Sequence, residues 1–82
     1  MFRVLLTQRA AKDFRRLDKR IQKRIAAKIK ELSRTPREHA LKLTNSKIGT
    51  YRFRIGDYRV VFDLDGENLV ILRIGHRKEI YK

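Results

Sequence analysis

Three arginines, Arg52, Arg54 and Arg59, flank the dipeptide Gly56-Asp57 in the run YRFRIGDYRVVF. The residues on either side alternate as strands do, and a two-residue loop beginning with glycine closes a β-hairpin through a positive φ. If Ile55 pairs with Tyr58, Arg54 stands opposite Arg59, and Arg52 lies two residues along on the same face. Like charges set directly across a strand pair are destabilising. The cluster therefore implies a site for an anion, with a solvated cationic face as the plain alternative.

A second group follows at Gly75-His76-Arg77 and Tyr81. Arginine keeps its charge and clamps phosphate bidentately, but it carries protons poorly. Imidazole is the side chain that changes charge near neutrality, so His76 is a candidate acid or base. Its plain alternative is a strand-end histidine bonded to backbone. Tyr81 can act as a proton carrier among cations or stack on an exposed base, or it can simply tuck the tail onto the sheet. His39 has no partner nearby in sequence and reads as structural or surface. Asp63, Asp65 and Glu67 flank a turn; with no HExxH pattern and no Gly-rich phosphate loop, no metal and no cofactor are expected.

The elements that position these residues follow from period. Phe2–Leu6 reads as a strand. Thr7 caps a first helix with Ala10, Phe14 and Leu17 on one face, and Asp18 caps a second with Ile21, Ile25, Ile29 and Leu32. The second helix turns Lys19, Arg20, Lys23, Arg24, Lys28 and Lys30 outward, and Thr35-Pro36 ends it. Residues 37–47, with His39, Leu41 and Leu43, have no clear period and read as a connector. Strands are expected at about 50–55, 58–64 and 69–76, the second turn at Asp65-Gly66 pairing Leu64 with Glu67 or Leu69. Tyr51, Phe53, Ile55, Tyr58, Val60 and Phe62 form the core face; Arg52, Arg54, Arg59 and Val61 form the other. The last strand is apolar on both faces apart from Arg73, which predicts an interior strand covered on both sides. The fold class is α+β: an N-terminal strand and helical hairpin packed on a mainly antiparallel four-stranded sheet, one domain over residues 1–82.

Charge bounds the partners. The chain has 22 Lys and Arg against 9 Asp and Glu, a net charge of +13 spread over both halves. So basic a small domain usually meets a polyanion or an acidic protein. The absence of cysteine excludes disulfides and thiolate metal sites and fits a reducing cytoplasm. No apolar run approaches membrane-spanning length, and Phe2–Leu6 is too short and interrupted for a signal peptide.

Strand, helix pair and meander, with Tyr51-Arg52-x-Arg54, Gly56-Asp57-Tyr58-Arg59-Val60-Val61 and Gly75-His76-Arg77-x-x-x-Tyr81 in order, resemble the RelE/ParE superfamily of toxins. Within it the chain looks most like the RelE-like mRNA interferases, over essentially its whole length. The resemblance implies metal-independent cleavage of mRNA in the ribosomal A site, the 2′-hydroxyl attacking its phosphate to leave a 2′,3′-cyclic phosphate. Carried over, the functional groups fall on Arg52 and Arg54 (lysines in the family's best-known member), Arg59, Arg77 and Tyr81. It also implies a cytoplasmic toxin with the ribosome, mRNA and a cognate acidic antitoxin of the RelB kind as partners. The helix cations Lys19, Arg20, Lys23, Arg24, Lys28 and Lys30 would then follow ribosomal RNA. Two other readings share the fold: a ParE-like inhibitor of DNA gyrase, and a non-catalytic RNA-binding or degenerate toxin domain.

Overall fold

The caps show how the first half of the chain folds. In the computed structural model, which describes residues 1–39, 41–42 and 51–80, β1 (Arg3–Leu6) enters α1 (Gln8–Arg15) through Thr7. The Thr7 hydroxyl accepts from the Ala10 amide at 3.1 Å and donates to the Leu72 carbonyl, so one side chain starts the helix and ties it to the sheet. Asp18 does the capping for α2 (Lys19–Leu32), accepting from the Arg20 amide at 2.7 Å. Gln22 on α2 donates to the Phe14 and Leu17 carbonyls at 2.9 and 3.0 Å. One carbonyl lies in the last turn of α1 and the other just past it, so the helical hairpin is closed by an α2 side chain.

Ala10, Ile25, Ile29 and Leu32 are buried against the sheet, with Phe14, Leu17 and Ile21 packed beside them. The expected helical stripes are thus the core stripes. α2 stops at Leu32, and Pro36 opens a single turn, α3 (Pro36–His39), where its missing N–H costs nothing. The segment read as a connector therefore holds a helical turn and a two-residue strand, β2 (Leu41–Lys42). Leu43 and Tyr81 lie outside the described residues.

The four expected strands are present, with β2 added at one edge. β3 (Tyr51–Ile55), β4 (Tyr58–Asp65) and β5 (Asn68–His76) complete a sheet of order β1-β5-β4-β3-β2. Only β1 with β5 is parallel, from Arg3 opposite Asn68 to Leu6 opposite Ile71. Ile55 pairs with Tyr58, Leu64 with Leu69 and Asp65 with Asn68, leaving loops that begin with Gly56 and Gly66, each at φ +59°.

β5 lies inside the sheet, but its apolar pattern has a cause that alternation cannot show. Val61 faces Arg73 while the next residue, Phe62, faces Ile71, so Leu72 is an extra residue in β5. This bulge resets the parity. Leu69, Ile71 and Ile74 all enter the helix-side core although Ile71 and Ile74 are three apart. Val70 and Leu72 stay half-buried. On the far face, Ile80 folds back over Gly75 and is fully buried. Among the described residues no helix is long and apolar enough to cross a membrane.

Candidate functional site

The hairpin register brings the arginines together as expected. Arg54 pairs with Arg59, which pairs in turn with Gly75; one row along, Arg52, Val61 and Arg73 are in line. Side chains directly opposite on antiparallel strands start about 5 Å apart. Arg54 is exposed, whereas Arg59 is only 8% exposed. The Arg59 Nη1 group donates to the Gly56 and Tyr58 carbonyls, both at 2.9 Å. It thereby braces the hairpin it belongs to, and the like-charge pair is relieved by one arginine turning inward and the other outward. Arg52 is half-buried, and its Nε is buried with no hydrogen-bond partner among the described residues. A donor left so is costly and marks the place on this face where an acceptor would gain most.

The C-terminal turn docks on the same hairpin. The Arg77 amide donates to the Asp57 carbonyl at 2.8 Å, and its Nε lies 3.8 Å from the Asp57 carboxylate. The turn is completed by bonds from the Glu79 and Ile80 amides to the His76 carbonyl, and Ile80 fastens it over Gly75. Arg54, Arg59 and Arg77 thus converge on one loop.

His76 sits elsewhere. It pairs with Tyr58, in the row of Ile55, on the helix side of the sheet. The two rings meet edge to face at 5.7 Å and 81°. His76 Nδ1 accepts from the Lys78 amide at 3.2 Å, so a neutral ring would carry its proton on Nε2. The parity of the Tyr58 pairing, not distance along the chain, separates it from the arginine rows.

The helix cations Lys19, Arg20, Lys23, Arg24, Lys28 and Lys30 are all exposed. Lys28 shares Glu31 at 3.5 Å, an exposed pair of small energetic weight. Arg24 does more than face solvent. A methyl group built on Gly56 would lie 2.9 Å from its Nη2, so α2 lays a fourth guanidinium on the hairpin turn.

Two further residues matter that the motifs do not single out. Asp57 was legible only as a turn residue. Asp13 on α1 accepts from both Arg73 Nε at 2.9 Å and the Ile74 amide at 3.0 Å. It replaces the strand partner that β5 lacks beyond the end of β1. The signal for it was Arg73 itself, a lone charge in an apolar strand that needs a partner when covered.

A mixed sheet with a helical hairpin on one face and arginine rows on the other makes this a small basic α+β domain. Residues 4–81 match the family described as the ParE toxin of type II toxin–antitoxin systems, parDE. Toxin RelE3 of Methanocaldococcus jannaschii is 34% identical over 83 residues, covering 96% of this chain and 94% of that one. Toxin RelG of Mycobacterium tuberculosis is 34% identical over 87 residues, covering 99% and 97%. The toxin–antitoxin complex RelBE2 of the same bacterium superposes with a TM-score of 0.78 at 33% identity, covering 93% of this chain and 98% of the solved one. The chain belongs to the RelE/ParE family of toxins of type II toxin–antitoxin systems.

Proposed function

We propose that this toxin is a ribosome-dependent endoribonuclease that cuts mRNA in the A site without a metal. The observation that carries the reading is the convergence of Arg54, Arg59 and Arg77 on the Gly56-Asp57 loop. In the cleavage step the 2′-oxygen bonds to phosphorus and the bond from phosphorus to the 5′-oxygen breaks, leaving a 2′,3′-cyclic phosphate and a 5′-hydroxyl. Charge gathers on the phosphorane oxygens, and fixed cations lower that barrier most. Arg54 and Arg77, both exposed, would touch the reacting phosphate. Arg59 would hold the hairpin and add its charge from beneath, and Arg52 would meet the neighbouring phosphate. Arginines stay protonated, so proton transfer falls to Tyr81, as the family resemblance implies. His76 lies on the Tyr58 row and is left out of that set.

The exposed cations of α2 would follow ribosomal RNA, making binding steeply salt-dependent. A cytoplasmic site of action and an acidic antitoxin of the RelB kind complete the reading, the latter supported by the +13 charge and by the solved complex of the M. tuberculosis relative. Primer extension on a defined mRNA, with and without programmed ribosomes, tests it. Cuts at A-site codons that need ribosomes are expected. Intact mRNA in both tubes, together with inhibited DNA supercoiling, would instead favour the gyrase reading.

A further inference from the structure

A cleft of about 450 Å³ opens along β5, between the end of α1 and the C-terminal turn. That is within the range of small-ligand sites, roughly 300–1,000 Å³. Arg9 and Asp13 approach it from α1, Arg16 from the C-cap of that helix and Arg73 from β5; Tyr58 and His76 form part of its wall. Arg9, Asp13 and Arg16 fall four and three residues apart, so they share one helix face.

Arg73 is set there with unusual care. Its contact with Asp13 runs through Nε alone, and the two side chains are only 20% and 10% exposed. The same Asp13 oxygen also holds the Ile74 amide, so the carboxylate is fixed by the strand edge. Arg73 is thereby oriented while both Nη groups keep their donors, the arrangement that suits bidentate binding of a phosphate. Arg9 and Arg16 are exposed and form no ion pair among the described residues. Of the two acids in the lining, Asp13 is engaged by Arg73 and Ile74, and Glu79 is exposed to solvent. Beside these cations, Tyr58 and His76 meet edge to face and offer ring surface to a base.

We infer that this cleft is a second phosphate-binding site, taking one nucleotide of single-stranded RNA. The phosphate meets Arg73, Arg16 and Arg9, the base lies against Tyr58 and His76, and Asp13 is a positioning residue for Arg73. The choice of RNA as ligand rests on the nuclease reading above; the anion site itself rests on geometry.

The test is an NMR titration of the full chain with a 5′-phosphorylated uridine dinucleotide and its 5′-hydroxyl counterpart. The reporters are the Ile74 and Lys78 amides, which are bonded to Asp13 and His76, and the Arg73 Nε–H. Saturable shifts at all three are expected, with the phosphorylated form bound about fivefold or more tighter. Arg16→Glu, an exposed change that spares the fold, should weaken that binding about tenfold. Arg73→Lys, which keeps the charge and loses the fork, should weaken it as well, while Arg54→Ala should leave the three reporters unmoved. Shifts confined to Arg52, Arg54 and Arg59, or equal affinity for both dinucleotides, would overturn the inference. So would hexaglutamate binding the cleft more tightly than the dinucleotide, since the surface would then suit an acidic protein. Ribosome-dependent cleavage is read in a separate assay, so failure of the nuclease reading and failure of this site give different results.

Discussion

Asp57 and Arg77 are joined twice, once through the main chain at 2.8 Å and once between side chains at 3.8 Å. The two bonds differ in kind. The amide bond docks the C-terminal turn on the hairpin, whereas the side-chain contact aims a guanidinium that is 55% exposed.

Removing only the second bond should therefore separate aim from stability. Asp57→Ala leaves the backbone bond and breaks an exposed ion pair, so unfolding free energy should change by less than about 1 kcal/mol. Cleavage should fall severalfold because Arg77 loses its orientation. Arg77→Ala should abolish toxicity with an equally small stability change. Urea melts paired with a growth assay check both. A fully toxic Arg77→Ala protein would remove Arg77 from the site.

Arg59 calls for the opposite expectation. Its guanidinium is buried and serves the Gly56 and Tyr58 carbonyls, so Arg59→Ala should cost about 1–3 kcal/mol as well as activity. Loss of toxicity in that variant alone would say nothing about chemistry. A denaturant midpoint that does not move would show that Arg59 braces nothing.

The features legible in the sequence follow from local rules. Thr7 and Asp18 announced their helices because a cap acts within three residues. The Ile55–Tyr58 register followed from a two-residue loop, and with it the Arg54–Arg59 pair. The bulge at Leu72 was hidden because an apolar strand with a bulge and an apolar strand buried on both faces spell alike. That one residue decides which side of the sheet Ile74 joins. The face of His76 was equally out of reach, since it depends on pairing with Tyr58. Asp13, sixty residues from Arg73, and Arg24 beside Gly56 are products of tertiary packing, for which spacing gives no rule.

Gly56 and Gly66 offer a controlled comparison. Both have φ +59°, but a methyl at Gly56 meets Arg24 at 2.9 Å and one at Gly66 meets nothing within 4 Å. Gly66→Ala should cost about 1–2 kcal/mol from left-handed backbone alone. Gly56→Ala should cost a similar amount, because the Arg24 side chain can swing away. Only the Gly56 change should shift the Arg24 Nε resonance and weaken RNA binding. Equal effects of the two substitutions on RNA affinity would show that Arg24 plays no part at the turn.

Ile80 is the last fully buried side chain of the described fold and rests on Gly75, where an added methyl would stand 3.6 Å from its Cβ. The contact matters because Arg77 belongs to the turn that Ile80 pins down. Ile80→Ala should destabilise by about 2–5 kcal/mol, the range for emptying a buried isoleucine site. It should release the turn first, so protection of the Arg77 amide against hydrogen exchange should drop before that of Val60 or Ile71. Gly75→Ala adds a methyl at ordinary contact distance and should be tolerated, with activity near the parent. If Ile80→Ala lowers global stability but leaves Arg77 as protected as the core strands, the turn is held by the Asp57 bond alone. Cleavage should then survive in Ile80→Ala at temperatures where the protein is still folded.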